Sequence, residues 1–165
     1  MNSISDGSVS YSKAVANSVI NYFNEHDLDF DFDEEKGILT TGFPLRSKIG
    51  RLDYRIRFLS DGYVSHATPR IHADEDSLAK VAEYLSRANY AMTFGNFEFD
   101  FRDGEIRFKA SCRTGDIALN EEQITDTFLI AIAQFEVYGD NLIAVLFDLK
   151  EPKEALKEAE EALLD

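Results

Sequence analysis

The sequence predicts an α+β domain, an antiparallel β-sheet with helices packed on it, in the order α-β-β-β-β-α-β-β-(β)-α-α. Three observations carry this. Apolar residues recur at helical spacing in four separate stretches, and between those stretches they alternate singly with polar residues. Lys-Gly and Asp-Gly pairs stand where one alternating stretch must turn into the next. Helices grouped around consecutive hairpins make a mostly antiparallel sheet.

The first helix spans about 9 to 25. Tyr11, Val15, Val19, Tyr22 and Phe23 form its apolar stripe, Lys13, Asn17, Asn21 and Asn24 lie opposite, and Ser8 or Ser10 is placed to cap it. Period two follows, with Leu28, Phe30 and Phe32 alternating with Asp29, Asp31 and Asp33. Lys36-Gly37 turns the chain into a second strand running to Phe43, and Pro44 to Gly50 is a loop. Leu52, Tyr54, Ile56 and Phe58 then alternate with Asp53, Arg55 and Arg57. Asp61-Gly62 is the strongest hairpin signal in the chain, and Tyr63 to Ile71 returns as a fourth strand. Pro69, which has no N–H to donate, marks that strand as an edge or a bulge.

Asp74, Glu75 and Asp76 open a second helix, where the helix dipole favours carboxylates. Leu78, Val81, Ala82, Leu85, Ala88 and Met92 are its stripe, and Phe94-Gly95 its end. A second meander follows: Phe97, Phe99 and Phe101, an Asp103-Gly104 turn, then Ile106, Phe108 and Ala110. Asn120 with Gln123 is an Asx variant of the capping box and starts a long helix to about Leu149, which Gly139-Asp140-Asn141 is placed to bend. Pro152 starts a short amphipathic tail helix with Ala155, Leu156, Ala159, Ala162 and Leu163 on one stripe. The chain divides into one α+β domain, residues 1–150, and an acidic C-terminal helix, residues 151–165. Val15 to Ile38 and Val81 to Ile106 echo each other as helix-then-hairpin units.

Composition narrows the function. Of 165 residues, 17 are Lys or Arg and 31 Asp or Glu, a net charge of −14, which repels phosphate backbones and anionic lipid and argues against nucleic acid and membrane as partners. A lone Cys112 forms no internal disulfide, so the cytoplasm is the expected compartment. Met1 to Val9 hold no basic residue and no apolar core of signal length. No unbroken apolar run is longer than that of Leu142 to Phe147, far short of the roughly 20 residues that span a bilayer.

Reactive constellations are missing. His26, His66 and His72 have no metal-ligand spacing, and His66 and His72 lie about 20 Å apart if they share one strand. Asp29, Asp31 and Asp33 alternate with apolar residues as an ordinary wet sheet face does, and no nucleophile elbow or phosphate loop is present. Cys112, on an outer strand of the second meander, is a small half-buried thiol or, with Arg113 beside it, one of lowered pKa. No cofactor is expected.

The charge is uneven. Arg46, Lys48, Arg51, Arg55 and Arg57 form a basic island interrupted only by Asp53. It is a docking patch or one half of a salt-bridged sheet face whose partners are Asp29, Asp31 or Glu98. The tail helix packs as a terminal helix or lends Leu156 and Leu163 to a partner.

The stretch Asn89-Tyr90-Ala91-Met92-Thr93-Phe94-Gly95-Asn96-Phe97-Glu98-Phe99-Asp100, with Asp103-Gly104-Glu105-Ile106-Arg107-Phe108 after it, resembles the YbjN family of bacterial sensory transduction regulators. The likeness covers Leu78 to about Leu146, with Val15 to Ile71 as a first half; the tail after Pro152 and the basic island depart from it. It implies a fold similar to type III secretion chaperones, small acidic proteins that commonly dimerise and hold partner segments on sheet and helix surfaces, and it carries no catalytic residue. The expected function is that of a cytoplasmic, non-enzymatic interaction module, a homodimer binding a protein partner. The alternative is a small-ligand site or enzyme assembled from scattered residues such as Arg55, His66 and Asp100.

Overall fold

The computed structural model describes residues 10–164. Ser8 as a helix cap and the reading of Met1 to Val9 lie outside them. The chain runs α1 (Lys13–Glu25), β1 (Asp31–Asp33), β2 (Ile38–Pro44), β3 (Arg51–Leu59), β4 (Gly62–Pro69), α2 (Leu78–Asn89), β5 (Asn96–Phe99), β6 (Ile106–Arg113), α3 (Glu121–Leu146) and α4 (Pro152–Glu161). The strands form one sheet in the order β1-β2-β3-β4-β6-β5 with every neighbouring pair antiparallel. The α+β expectation holds. The two helix-then-hairpin units place their first strands, β1 and β5, at opposite edges.

The alternation of β3 and β4 decides which face is covered. Leu52, Tyr54, Ile56 and Phe58 of β3 and Tyr63 and Ala67 of β4 are buried beneath the helices, whereas Arg55, Arg57, His66 and Lys109 retain contact with solvent. Phe128 of α3 lies against Tyr54, Phe43 and Phe23, with ring centroids 4.8, 4.8 and 5.3 Å away. Two core tyrosines spend their hydroxyls on α3 carbonyls: Tyr54 donates to Phe128 at 3.0 Å and Tyr84 to Tyr138 at 2.9 Å. Each apolar body is thus buried without orphaning its polar tip.

Several boundaries differ from expectation. Helix α1 starts at Lys13, because the Ser12 hydroxyl accepts the Val15 N–H at 3.1 Å, so Ser12 and not Ser10 is the cap. Tyr11 instead packs on Phe58 and Phe32 and lies over Gly37, whose φ of +62° and missing Cβ both permit the approach. Strand β4 is central, not an edge. Pro69 is tolerated because the β4–β6 ladder stops at Ala67, so no N–H is needed beyond it. Helix α2 ends at Asn89, ahead of Gly95, because the Asn89 amide bonds both main-chain groups of Phe97, at 2.7 and 2.9 Å, and ties the helix end to β5. The second meander has two strands only, and β6 is its inner one.

Helix α3 carries the full Asn120–Gln123 capping box and runs through Gly139 uninterrupted. A Cβ at Gly139 would meet Ile49 at 2.8 Å and Ser47 at 3.1 Å, so the glycine serves close packing of the β2–β3 loop. Among the described helices α3 alone is long and apolar enough to cross a bilayer by length and composition, which the short Leu142–Phe147 run did not show. Here its buried stripe of Ile124, Phe128, Ala131, Phe135 and Leu142 is met by the sheet and the neighbouring helices. Helix α4 lies on α2 and α3 through Ala155 and Ala159, and Lys80 of α2 bridges Asp148 at 2.6 Å and Glu151 at 2.7 Å beside it.

Candidate functional site

The five residues of the basic island do not form one patch. Arg46 and Lys48 extend from the β2–β3 loop into solvent, and it is their main chain that is anchored. Glu136 of α3 accepts the N–H groups of Arg46 and Ser47 at 2.7 and 3.0 Å, and Asp140 accepts that of Lys48 at 2.6 Å. Arg51 reaches Asp53 at 3.2 Å, but Arg70 holds the same carboxylate closer, at 2.6 and 3.0 Å. Arg70 is the larger reason the Asp53 carboxyl titrates below the usual range. Arg51, Arg55 and Arg57 share the open face of β3 with Asp53, and of these arginines Arg55 and Arg57 form no ion pair among the described residues. Asp29 and Asp31 do not pair with them. Glu98 instead takes Arg107 at 2.7 Å and Lys109 of β6.

Sheet register gathers a cationic group that the sequence order conceals. Arg55 of β3, His66 of β4 and Lys109 of β6 stand in one row across three strands, and Arg107 lies two residues before Lys109 on the same face. The His66 Nε2 is 3.9 Å from the Glu98 carboxylate. Burial first, and then Arg107, Lys109 and Arg57, push the His66 pKa below its ordinary value, with Glu98 acting the other way. Arg55 and His66 therefore come together as the enzyme alternative requires, while Asp100 does not. It lies past the end of β5, bound to Arg102 at 2.5 Å and held down to a pKa of about 2 by that guanidinium.

Nothing in this arrangement activates a nucleophile. Burial raises the Cys112 pKa, and Arg113, expected to lower it, pairs with Asp61. No group of three or more His, Cys, Asp or Glu is placed to hold a metal among the described residues. The open face carries both signs, with Asp31, Asp53 and Glu105 beside Arg51, Arg55 and Arg107.

A second surface lies at the other side of β6. Strand β5 pairs with residues 106–109 only, so Ala110 to Arg113 have β4 on one side and no strand on the other. The Thr114 N–H bonds the Asp61 carbonyl at 3.0 Å, and antiparallel alternation from that bond aims the main-chain groups of Ser111 and Arg113 at the open side. Facing this free edge is an outward strip of α3, Leu129, Ile130 and Ala133, with Phe94 as the opposite wall. The trough has a volume of about 720 Å³, and Val137 and Leu163 continue it. Phe94 and Leu163 are 73% and 59% exposed.

Leu163 thus lies at the far end of this trough, but Leu156, expected beside it, packs partly buried against the core. The two do not form one partner-binding stripe, because α4 ends at Glu161 and rests on its alanines. The trough was not legible as such: by the register residues 92–95 would stand opposite 110–113, and the chain there does not extend β5, which starts at Asn96. The only signal for it is the longer apolar alternation after Gly104 than before it.

Comparison with solved structures agrees with this architecture. The fold is similar to the crystal structure of YbjN from E. coli, a proposed transcription regulator, with a TM-score of 0.57 and 12% sequence identity over 84% of this chain and 93% of that one. No family model matches the chain, and no curated protein matches it in sequence. At that identity the likeness is one of fold, and the fold of this chain is YbjN-like.

Proposed function

We propose that the chain is a non-enzymatic protein-interaction module, a cytoplasmic regulator of the YbjN type that docks an extended segment of a partner protein in the trough beside β6. The observation that carries this is the four-residue stretch of β6, Ala110 to Arg113, left without a strand partner next to an exposed apolar strip of α3. An extended segment laid there adds main-chain hydrogen bonds to Ser111 and Arg113, and its alternate side chains enter the trough between Phe94 and Leu129. The fold likeness to a regulator supports the reading. The alternative, a small-ligand or catalytic site at Arg55 and His66, has less behind it, since those groups lie on an open face where water is not excluded.

Affinity capture with the full chain, compared with Leu129→Asp and Ala133→Arg, tests the reading. Both positions are exposed, so the fold survives the change. A protein retained by the wild type and lost from both variants, together with slowed amide exchange at Ser111 and Arg113 in the complex, is the expected result. Retention unaffected by both variants removes the trough from the function.

A further inference from the structure

The bare stretch of β6 has a form that its own copy can complete. Ser111 and Arg113 aim their main-chain groups outward, Ala110 and Cys112 place their side chains on the helix side, and the strand ends at Arg113. Only one two-fold register suits it. An axis through Cys112 sets Ser111 opposite Arg113 of the second copy, so that each of the two both donates and accepts across the junction, and sets the two Cys112 residues against each other as a non-hydrogen-bonded pair. An axis through Ser111 needs Lys109, whose main chain already pairs with Asn96, and an axis through Arg113 sets guanidinium against guanidinium. The helix layer agrees with the first of these. The same rotation turns the outward strip of α3, Leu129, Ile130 and Ala133, toward its counterpart and covers the exposed Phe94.

We propose that, when no partner segment is docked, the β6 edge and its trough are covered by the same edge of a second copy, in a closed two-fold dimer centred on Cys112. The inference rests on the docking reading of the trough and adds a competition to it, because one edge cannot hold a partner segment and a second copy together. A head-to-tail join of β6 to the β1 edge is disfavoured, since β1 forms the opposite edge of the sheet and such joins propagate as an open series. Size sets the strength of the dimer. Four strand residues and one strip of α3 fall short of the about 20–30 residues a side of a standard interface, so the pairing is weak and gives way to a segment that fits the trough better. Asp126, the one charged side chain lining the trough, falls near the axis and opposes its counterpart.

Sedimentation equilibrium on the full, reduced chain is the test. The mass is expected to rise from 18.7 kDa toward twice that value over about 1 to 300 µM. Ser111→Pro removes an edge N–H that β4 does not use, and Leu129→Asp charges the strip; both, checked for folding by circular dichroism, are expected to stay at 18.7 kDa throughout. Asp126→Asn is expected to tighten the dimer at least about threefold. Diamide then reads the register: two opposed thiols give up two protons and two electrons, which reduce its azo bond to a hydrazine, and a disulfide joins the copies. A non-hydrogen-bonded pair with Cα atoms about 4.5 Å apart lies within the disulfide span. The inference is overturned if the mass is 18.7 kDa at every concentration, if Ser111→Pro and Leu129→Asp dimerise as the wild type does, if Asp126→Asn weakens the dimer, if the dimer does not yield the Cys112 disulfide, or if the linked dimer retains a protein that the reduced chain captures through Leu129. A monomeric chain that captures a protein through Leu129 sinks this inference alone, whereas a dimer whose reduced form captures none removes the docking reading and leaves the dimer.

Discussion

Arg55 and His66 stand directly opposite each other on β3 and β4, on the face of the sheet that no helix covers. Burial of His66 there, with Arg107 beside it, gives the protein an acid-side stability signature. The folded pKa of His66 lies below its ordinary 6.5, so the unfolded chain binds the proton more readily. Stability is therefore full above pH 6.5 and falls as the pH drops through it. Glu98, whose pKa lies below 4.5 because the Lys109 and Arg107 hydrogen bonds outweigh its burial, loses its contribution only lower in the range. Thermal unfolding followed from pH 7 to about pH 5 is expected to show a declining midpoint that His66→Gln flattens. E98Q is expected to cost about 1–2 kcal/mol at neutral pH and to move the His66 titration lower still. A midpoint unaffected by pH in wild type and H66Q alike refutes the assignment.

Gly104 ties the second hairpin to the segment before α2. Its φ is +72°, its carbonyl accepts the Ala73 N–H at 3.0 Å, and a Cβ there would lie 2.0 Å from the Ala73 carbonyl oxygen. Gly104→Ala is expected to destabilise by about 2–3 kcal/mol in denaturant unfolding, whereas Gly50→Ala, with open space around it, pays only the backbone strain.

Tyr63 is 2% exposed and its hydroxyl has no hydrogen-bond partner among the described residues. Thr127 nearby spends its own hydroxyl hydrogen on the Gln123 carbonyl, at 2.8 Å. Removing the orphaned oxygen costs no bond, so Tyr63→Phe is expected to raise stability by about 1 kcal/mol. A loss of stability in the same unfolding measurement shows that the hydroxyl is satisfied in solution.

Truncation before Glu151 is expected to weaken the whole fold. Ala155 and Ala159 are buried against α2 and α3, and Lys80 loses the Glu151 partner. A midpoint several degrees lower in the truncated chain identifies α4 as part of the fold; an unchanged midpoint makes it a detachable tail.

The homodimer expected from the sequence is open to a direct test. Light scattering on the full chain is expected to return twice 18.7 kDa, and a mass of 18.7 kDa excludes the dimer.

What the sequence makes visible is local, and what it hides depends on register. The Asn120–Gln123 capping box, the turns at Lys36-Gly37 and Asp61-Gly62, and the alternation of β3 are all written in neighbouring residues and all appear. The cationic row is not local. Lys109 joins His66 only because β6 inserts between β4 and β5, and that insertion places Cys112 on an inner strand. Competing local bonds set the ends that were misplaced. The Asn89 amide stops α2 ahead of Gly95, and the Asp100–Arg102 pair accompanies a β5 that stops at Phe99. The basic island separates because Glu136 and Asp140 grip the backbone of Arg46, Ser47 and Lys48 and leave the side chains unengaged.

Placing every helix on one side of the sheet leaves the molecule two-faced, apolar along one flank and studded with charges of both signs across its back. A ligand seated against either side leaves the other uncovered, so the two need not compete.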